Sequence, residues 1–115
     1  MKGLIIKEPY IDWILNGKKV WEIRGSNTKI RGKVALIKSG TGYIYGTVEV
    51  VDSIGPLKLK EFRNNARKLN YKKEELTSLP YGRKTYAWVL KKPKKFKKLV
   101  PYKKKPGAVI WVNLD

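Results

Sequence analysis

Gly17-Lys18-Lys19-Val20-Trp21-Glu22-Ile23-Arg24 is the stretch that decides how this chain is read. It follows a short amphipathic run, residues 9–16, in which Pro9 suits the first turn of a helix because its missing N–H has no partner there. Gly17 stands where that helix stops, since a residue without Cβ accepts the left-handed backbone of a helix C-terminus. From Trp21 onward apolar and charged residues alternate, the period of a strand. Trp21 and Ile23 therefore share a face and are expected in a core, with Glu22 and Arg24 pointing away from it. Lys19 and Glu22 are three apart and fall on opposite faces of a regular strand. They converge only if Lys19 still belongs to the turn. The expected product is a cluster of Lys19, Glu22 and Arg24 at one mouth of a sheet.

Working outward, residues 2–7 carry Leu4, Ile5 and Ile6 and read as a first strand, too short for a secretory signal. In the helix, Ile11, Ile14 and Leu15 make the core face, while Tyr10 and Trp13 form a second stripe beside the Lys19 turn, placed to pack or to stack on a base. Gly25-Ser26-Asn27-Thr28 breaks the strand after Arg24. Its hydroxyls and N–H groups, Ser26 among them, either hold a phosphate or simply make a loop. Residues 33–39 form the next strand, and Ser39-Gly40-Thr41-Gly42 is a turn open to close approach of a ligand or another backbone. Residues 43–51 alternate again, with Gly46 marking a bulge or barrel bend. From 57 to 70 the period is helical, with Leu59, Phe62, Ala66 and Leu69 on one face, and 72–79 reads as a second helical turn. Residues 85–90 are strong strand formers in which Tyr86, Trp88 and Leu90 share a face. The run from Lys91 to Gly107 holds nine lysines and three prolines and excludes a continuous helix. Interleaved Phe96 and Tyr102 make it either a basic arm with stacking groups, Lys94 and Lys95 included, or a solvated loop. Residues 108–114 close the sheet.

Composition narrows the chemistry. Twenty-seven Lys and Arg against nine Asp and Glu give the 115-residue chain a net charge of +18, a field best relieved by a polyanion. Absence of cysteine and histidine removes the usual zinc sites, histidine general bases and the Ser-His-Asp and Cys-His nucleophile systems. Any catalysis must use Lys, Glu, Asp, Tyr, Ser, Thr or backbone groups. No apolar run reaches the roughly 18–20 residues of a membrane helix.

The spacing G-x-K-x-x-E-x-R, read on Gly17, Lys19, Glu22 and Arg24, resembles the signature of the ASCH domain family. The resemblance extends upstream to Lys7-Glu8-Pro9-Tyr10 and downstream to the strands at 32–39, 42–52 and 107–114. Residues 56–83 match least. It implies a small β-barrel related to the PUA RNA-binding domain. Some short members resemble amidohydrolases acting on acylated cytidine through a Lys, a Thr and a Glu, and a nuclease activity has been proposed for others. Lys19 matches that lysine, Glu22 takes the place of the threonine, and the distant glutamate has no counterpart. Other members are described as nucleic-acid-binding modules of transcription coactivators, and with Glu22 in place of threonine the chain is similar to this coactivator-like branch.

These observations together predict one α+β domain over residues 1–115, mostly β: a small PUA-like barrel with covering helices. The leading function is nucleic-acid binding, RNA before DNA, by a cytoplasmic monomer without cofactor, metal or membrane partner. Expected contacts are Lys7, Tyr10, Trp13, Lys18, Ser26, Ser39, Tyr86, Lys94 and Lys95, around a centre of Lys19, Glu22 and Arg24. A small hydrolase acting on a modified nucleoside or RNA through Lys19 and Glu22 is the alternative. An interaction domain for an acidic partner is the third reading.

Overall fold

The computed structural model describes residues 1–104, 107 and 110–115. Its elements are β1 (Lys2–Ile6), α1 (Tyr10–Leu15), β2 (Trp21–Arg24), β3 (Gly32–Lys38), β4 (Tyr43–Ile54), α2 (Leu59–Asn64), β5 (Tyr86–Pro101) and β6 (Trp111–Asn113), with 3₁₀ turns at Ala66–Leu69, Lys73–Glu75 and Gly82–Lys84. All six strands join one sheet in the order β2-β5-β4-β3-β1-β6. Among the described residues only β1 and β3 pair in parallel; the remaining pairs are antiparallel. The sheet curls into a half-barrel with β2 and β6 as its edges, giving a mostly-β α+β fold. Two contacts draw its ends together: the Trp88 and Trp111 rings stack at 5.5 Å, and Arg24 Nη2 donates to the Ile5 carbonyl at 2.9 Å, tying β2 to β1.

Two cores lie on the two faces of this sheet. Leu4, Ile6, Val34, Leu36, Val48, Val50, Trp88 and Leu90 meet Ile11, Ile14 and Leu15 of α1 in the larger one. Trp21 and Ala87 meet Leu57, Phe62, Ala66, Leu69 and Leu76 in the smaller. Strand alternation on β5 sends Trp88 to the first core and Ala87 to the second. Trp21 is core, as its alternation requires, but Glu22 does not face solvent. The opposite face of β2 looks into the half-barrel, and Glu22 is buried there.

The helical period of 57–70 is realised in two pieces. α2 ends at Asn64, capped by Asn65, and the chain re-enters a 3₁₀ turn, keeping Phe62, Ala66 and Leu69 inside while Leu59 stays exposed. The larger correction concerns β5. The expected strand 85–90 continues to Pro101, absorbing most of the basic run into the sheet. Its register with β4 slips between the Glu49–Lys91 and Thr47–Lys94 pairs, so one residue on β4, Val48, faces two on β5, Lys92 and Pro93. Pro93 sits inside that extra residue step, where no ladder hydrogen bond is needed from it. Lys105 in the basic run, and Ala108 and Val109 in the expected strand 108–114, lie outside the described residues; the strand that is described begins at Trp111. No helix among the described residues is long and apolar enough to cross a membrane.

Candidate functional site

At the mouth of the half-barrel, between α1, β2 and the segment after α2, lies a cleft of about 580 Å³. Its floor is built from the turn after α1. Gly17 adopts φ +79°, and the Lys18 and Lys19 amides both donate to the Trp13 carbonyl, at 2.9 and 3.1 Å. That wraps Lys19 back under the helix, so it enters the cleft from the turn and not from the strand. Val20 is then clamped: its N–H donates to Lys68 O and its carbonyl accepts from Leu90 N–H, both at 2.8 Å. β2 therefore starts one residue later, at Trp21, and Glu22 rises on the same side as Lys19.

Lys19, Glu22 and Arg24 converge as their spacing predicts. Glu22 Oε2 accepts from Arg24 Nε at 2.8 Å, and Glu22 Oε1 faces Lys19 Nζ at 3.8 Å. The carboxylate sits between two cations, and the trio carries a net positive charge. Lys19 is 4% exposed and Glu22 6%. Burial lowers the Lys19 pKa from its ordinary value of 10.5; Glu22 opposes that shift and Arg24 adds to it. Arg24 is held further by the Ile5 carbonyl and by the Trp88 ring, 5.6 Å away. Such a trio can accept an anion or an oxygen-rich polar edge, and its lysine holds its proton less firmly than an exposed one.

Aromatic groups wall the cleft. Tyr10 lies 5.5 Å from Lys19 Nζ, centroid to cation. Trp13 stands behind it, edge-on at 5.6 Å to both Tyr10 and Tyr71. The Tyr71 phenol is pushed up to about 12 by burial, by its hydrogen bond to Tyr10 and by the charges of Tyr10 and Glu75, so it stays a neutral donor. Tyr81 forms a lip over β2: a Cβ on Gly25 would meet its ring at 2.8 Å, so glycine is what lets it close down.

Lys7, Tyr10 and Ser39 line this cleft along with Lys19, Glu22 and Arg24. The other sequence candidates lie apart from it. Trp13 supports the wall from behind, and Lys18 is exposed on the turn. Ser26 is exposed, and its carbonyl accepts from the Trp88 indole at 2.9 Å. Tyr86 packs against the larger core, while Lys94 and Lys95 are exposed on β5. Sequence reading missed Tyr71, Glu75, Thr77, Ser78 and Tyr81 as lining residues. They come from the segment with no strong period, where the only signal was tyrosines next to turn residues.

The ASCH domain model matches residues 4–100 of the chain. No curated protein matches it. Among solved structures, the crystal structure of ASCH from Zymomonas mobilis superposes with a TM-score of 0.64 at 12% identity, covering 82% of this chain and 68% of that one. A Tyr-to-Phe mutant of that protein gives 0.66 at 10% identity, over 87% and 74%. At such identities the likeness is one of fold. The match across nearly the whole chain, together with a glycine turn that delivers Lys19 beside Glu22 and Arg24, makes this chain a member of the ASCH domain family.

Proposed function

We propose that this ASCH domain binds RNA, drawing a nucleotide of a single strand into the cleft. The observation that carries the reading is the buried Lys19–Glu22–Arg24 trio at the floor of an aromatic-walled hollow. Its volume falls in the range of roughly 300–1,000 Å³ typical of small-ligand sites. Aromatic faces suit an unstacked base, and cations at floor and rim suit its phosphate. Glu22 supplies an acceptor among donors, so the site can read a polar base edge as well as charge. Glu22 at the threonine position favours the coactivator-like branch over the amidohydrolases.

Fluorescence anisotropy with a short single-stranded RNA tests this. Lys7 is exposed on the rim, so Lys7→Ala leaves the core intact and removes one charged contact. Affinity should drop about tenfold, the worth of one charge-assisted hydrogen bond, and the salt slope should become shallower. Unchanged affinity in both Lys7→Ala and Tyr10→Ala would place RNA elsewhere or nowhere. The lowered pKa of Lys19 favours a second reading, hydrolysis of a modified nucleoside or RNA with the neutral amine as base and Glu22 as proton carrier. Lys19→Arg separates the two, since it keeps the charge but cannot deprotonate. Turnover of an acylated nucleoside by the wild type, lost in Lys19→Arg, would put hydrolysis first.

A further inference from the structure

Beyond Leu90, β5 leaves β2 behind. β2 pairs only with Tyr86, Ala87, Trp88 and Val89. From Lys91 to Pro101, β4 is the one strand neighbour of β5 among the described residues, so its other edge is open. Six of the eight residues from Lys91 to Lys98 are lysines, all exposed. Among the described residues the one ion pair in this stretch joins Lys92 to Glu49, at 3.3 Å. An open edge needs only a lysine or a proline to keep other strands away. Pro93 and Pro101 already serve that end, and six lysines exceed it.

The position of this edge matters as much as its charge. A second hollow, of about 370 Å³, is lined by the apolar Ile14, Val20, Val48 and Leu90, by Gly17, Lys91, Lys92 and Pro93, and also by Lys19. Lys19 lines the cleft as well. The two hollows thus lie on either side of one buried residue, and the second is bordered by the head of the lysine strand. Lys92 takes φ +53° there, which turns the strand as it leaves the hollow.

We infer that the cleft, the second hollow and the open edge of β5 form one track for several nucleotides of single-stranded RNA, with Lys94, Lys95, Lys97 and Lys98 following its phosphates. This rests on the reading of the cleft as an RNA site and extends it from one nucleotide to a strand. The edge from Lys91 to Lys98 spans up to roughly 23 Å at about 3.3 Å per residue, a length no mononucleotide covers. The track reads the backbone and so tolerates any base along the edge; selection belongs to the cleft.

Length dependence is the test. Affinities of uridine monophosphate and octauridylate are measured for the wild type, for Lys94, Lys95, Lys97 and Lys98 all changed to alanine, and for a charge-matched control with Lys2, Lys29, Lys33 and Lys60 changed to alanine. In the wild type the octamer should bind at least about thirtyfold tighter, several phosphate contacts being added. The strand variant should lose most of that ratio, and its salt slope for the octamer should become shallower by about 2–3, at about 0.7 per contact. The control should keep the ratio. Equal behaviour of the two variants, or an octamer no tighter than the monophosphate, overturns the track and leaves the cleft standing. An octamer bound through the strand lysines, with no monophosphate binding and no loss in Lys7→Ala, overturns the cleft and the joined track with it. Circular dichroism of each variant confirms folding, and octadeoxyuridylate shows whether the sugar is read.

Discussion

Lys19 and Tyr71 both contact Tyr10, and they respond to pH in opposite senses. Burial sets the Lys19 pKa below 10.5, so the unfolded chain holds that proton over a range in which the folded one does not. Its contribution to stability is complete above 10.5 and is lost as pH falls through the lowered value. Tyr71 is raised from 10.0 to about 12, so its contribution is complete below 10 and is lost as pH climbs toward 12. Urea denaturation as a function of pH should therefore show a rise of stability as pH climbs toward 10.5 and a fall toward 12. Lys19→Met should flatten the rise and Tyr71→Phe the fall. A Lys19→Met protein with the wild-type slope would mean that water reaches the ammonium. At this scale the sequence spoke clearly about convergence: Gly17 and the spacing of Lys19, Glu22 and Arg24 were enough. It did not disclose the burial of Glu22, because a glutamate opposite Trp21 reads as the wet face of a strand. Only a strand with packed residues on both faces buries both, and one strand's alternation cannot reveal that.

β4 and β5 are the longest elements and depend on irregularities to stay paired. Gly46 shows why. A Cβ there would be driven into the Lys94 carbonyl and to within 2.7 Å of Leu15 Cδ2, at the point where the β4–β5 register shifts. The backbone of β5 and helix α1 both close onto that glycine. Gly46→Ala should destabilise the domain by about 1–3 kcal/mol, the usual range for overpacking, read as a lowered urea midpoint at constant m. A neutral substitution would show that the bend relaxes easily. The bend itself was legible, since a glycine in mid-strand has few other meanings. The extent of β5 was not. Prolines and a lysine run are ordinary marks of a loop, and what overrides them is the pairing with a distant strand, β4, against which a bulge in β5 takes up Pro93. The helical segment shows the same limit. Its apolar period survived across the break at Asn65, so its buried residues could be read although the element itself divides.

For the molecule as a whole, a net charge of +18 on 115 residues sets two salt effects against each other. Among the described residues, Glu22 is the carboxylate buried with its partners, whereas Glu8, Asp12, Glu49 and Asp52 pair with cations nearer the surface. Most lysines are therefore left to repel one another, and that repulsion weighs on the folded state more than on the expanded unfolded chain. Added salt screens repulsion between exposed charges over about 10 Å at 0.1 M and shorter distances above it. The melting temperature should rise with sodium chloride from about 0.05 M to 0.5 M, while affinity for single-stranded RNA falls steeply over the same range through loss of counterion release. Opposite signs in one protein distinguish a polyanion binder from a domain whose lysines merely keep it soluble, which would show the first effect without the second. At low salt, single-stranded RNA at a hundred times its dissociation constant should restore about 2.7 kcal/mol of stability by linkage, and the gain should vanish as salt rises. A melting temperature that falls with salt in the absence of RNA would mean that the ion pairs, few as they are, outweigh the repulsion.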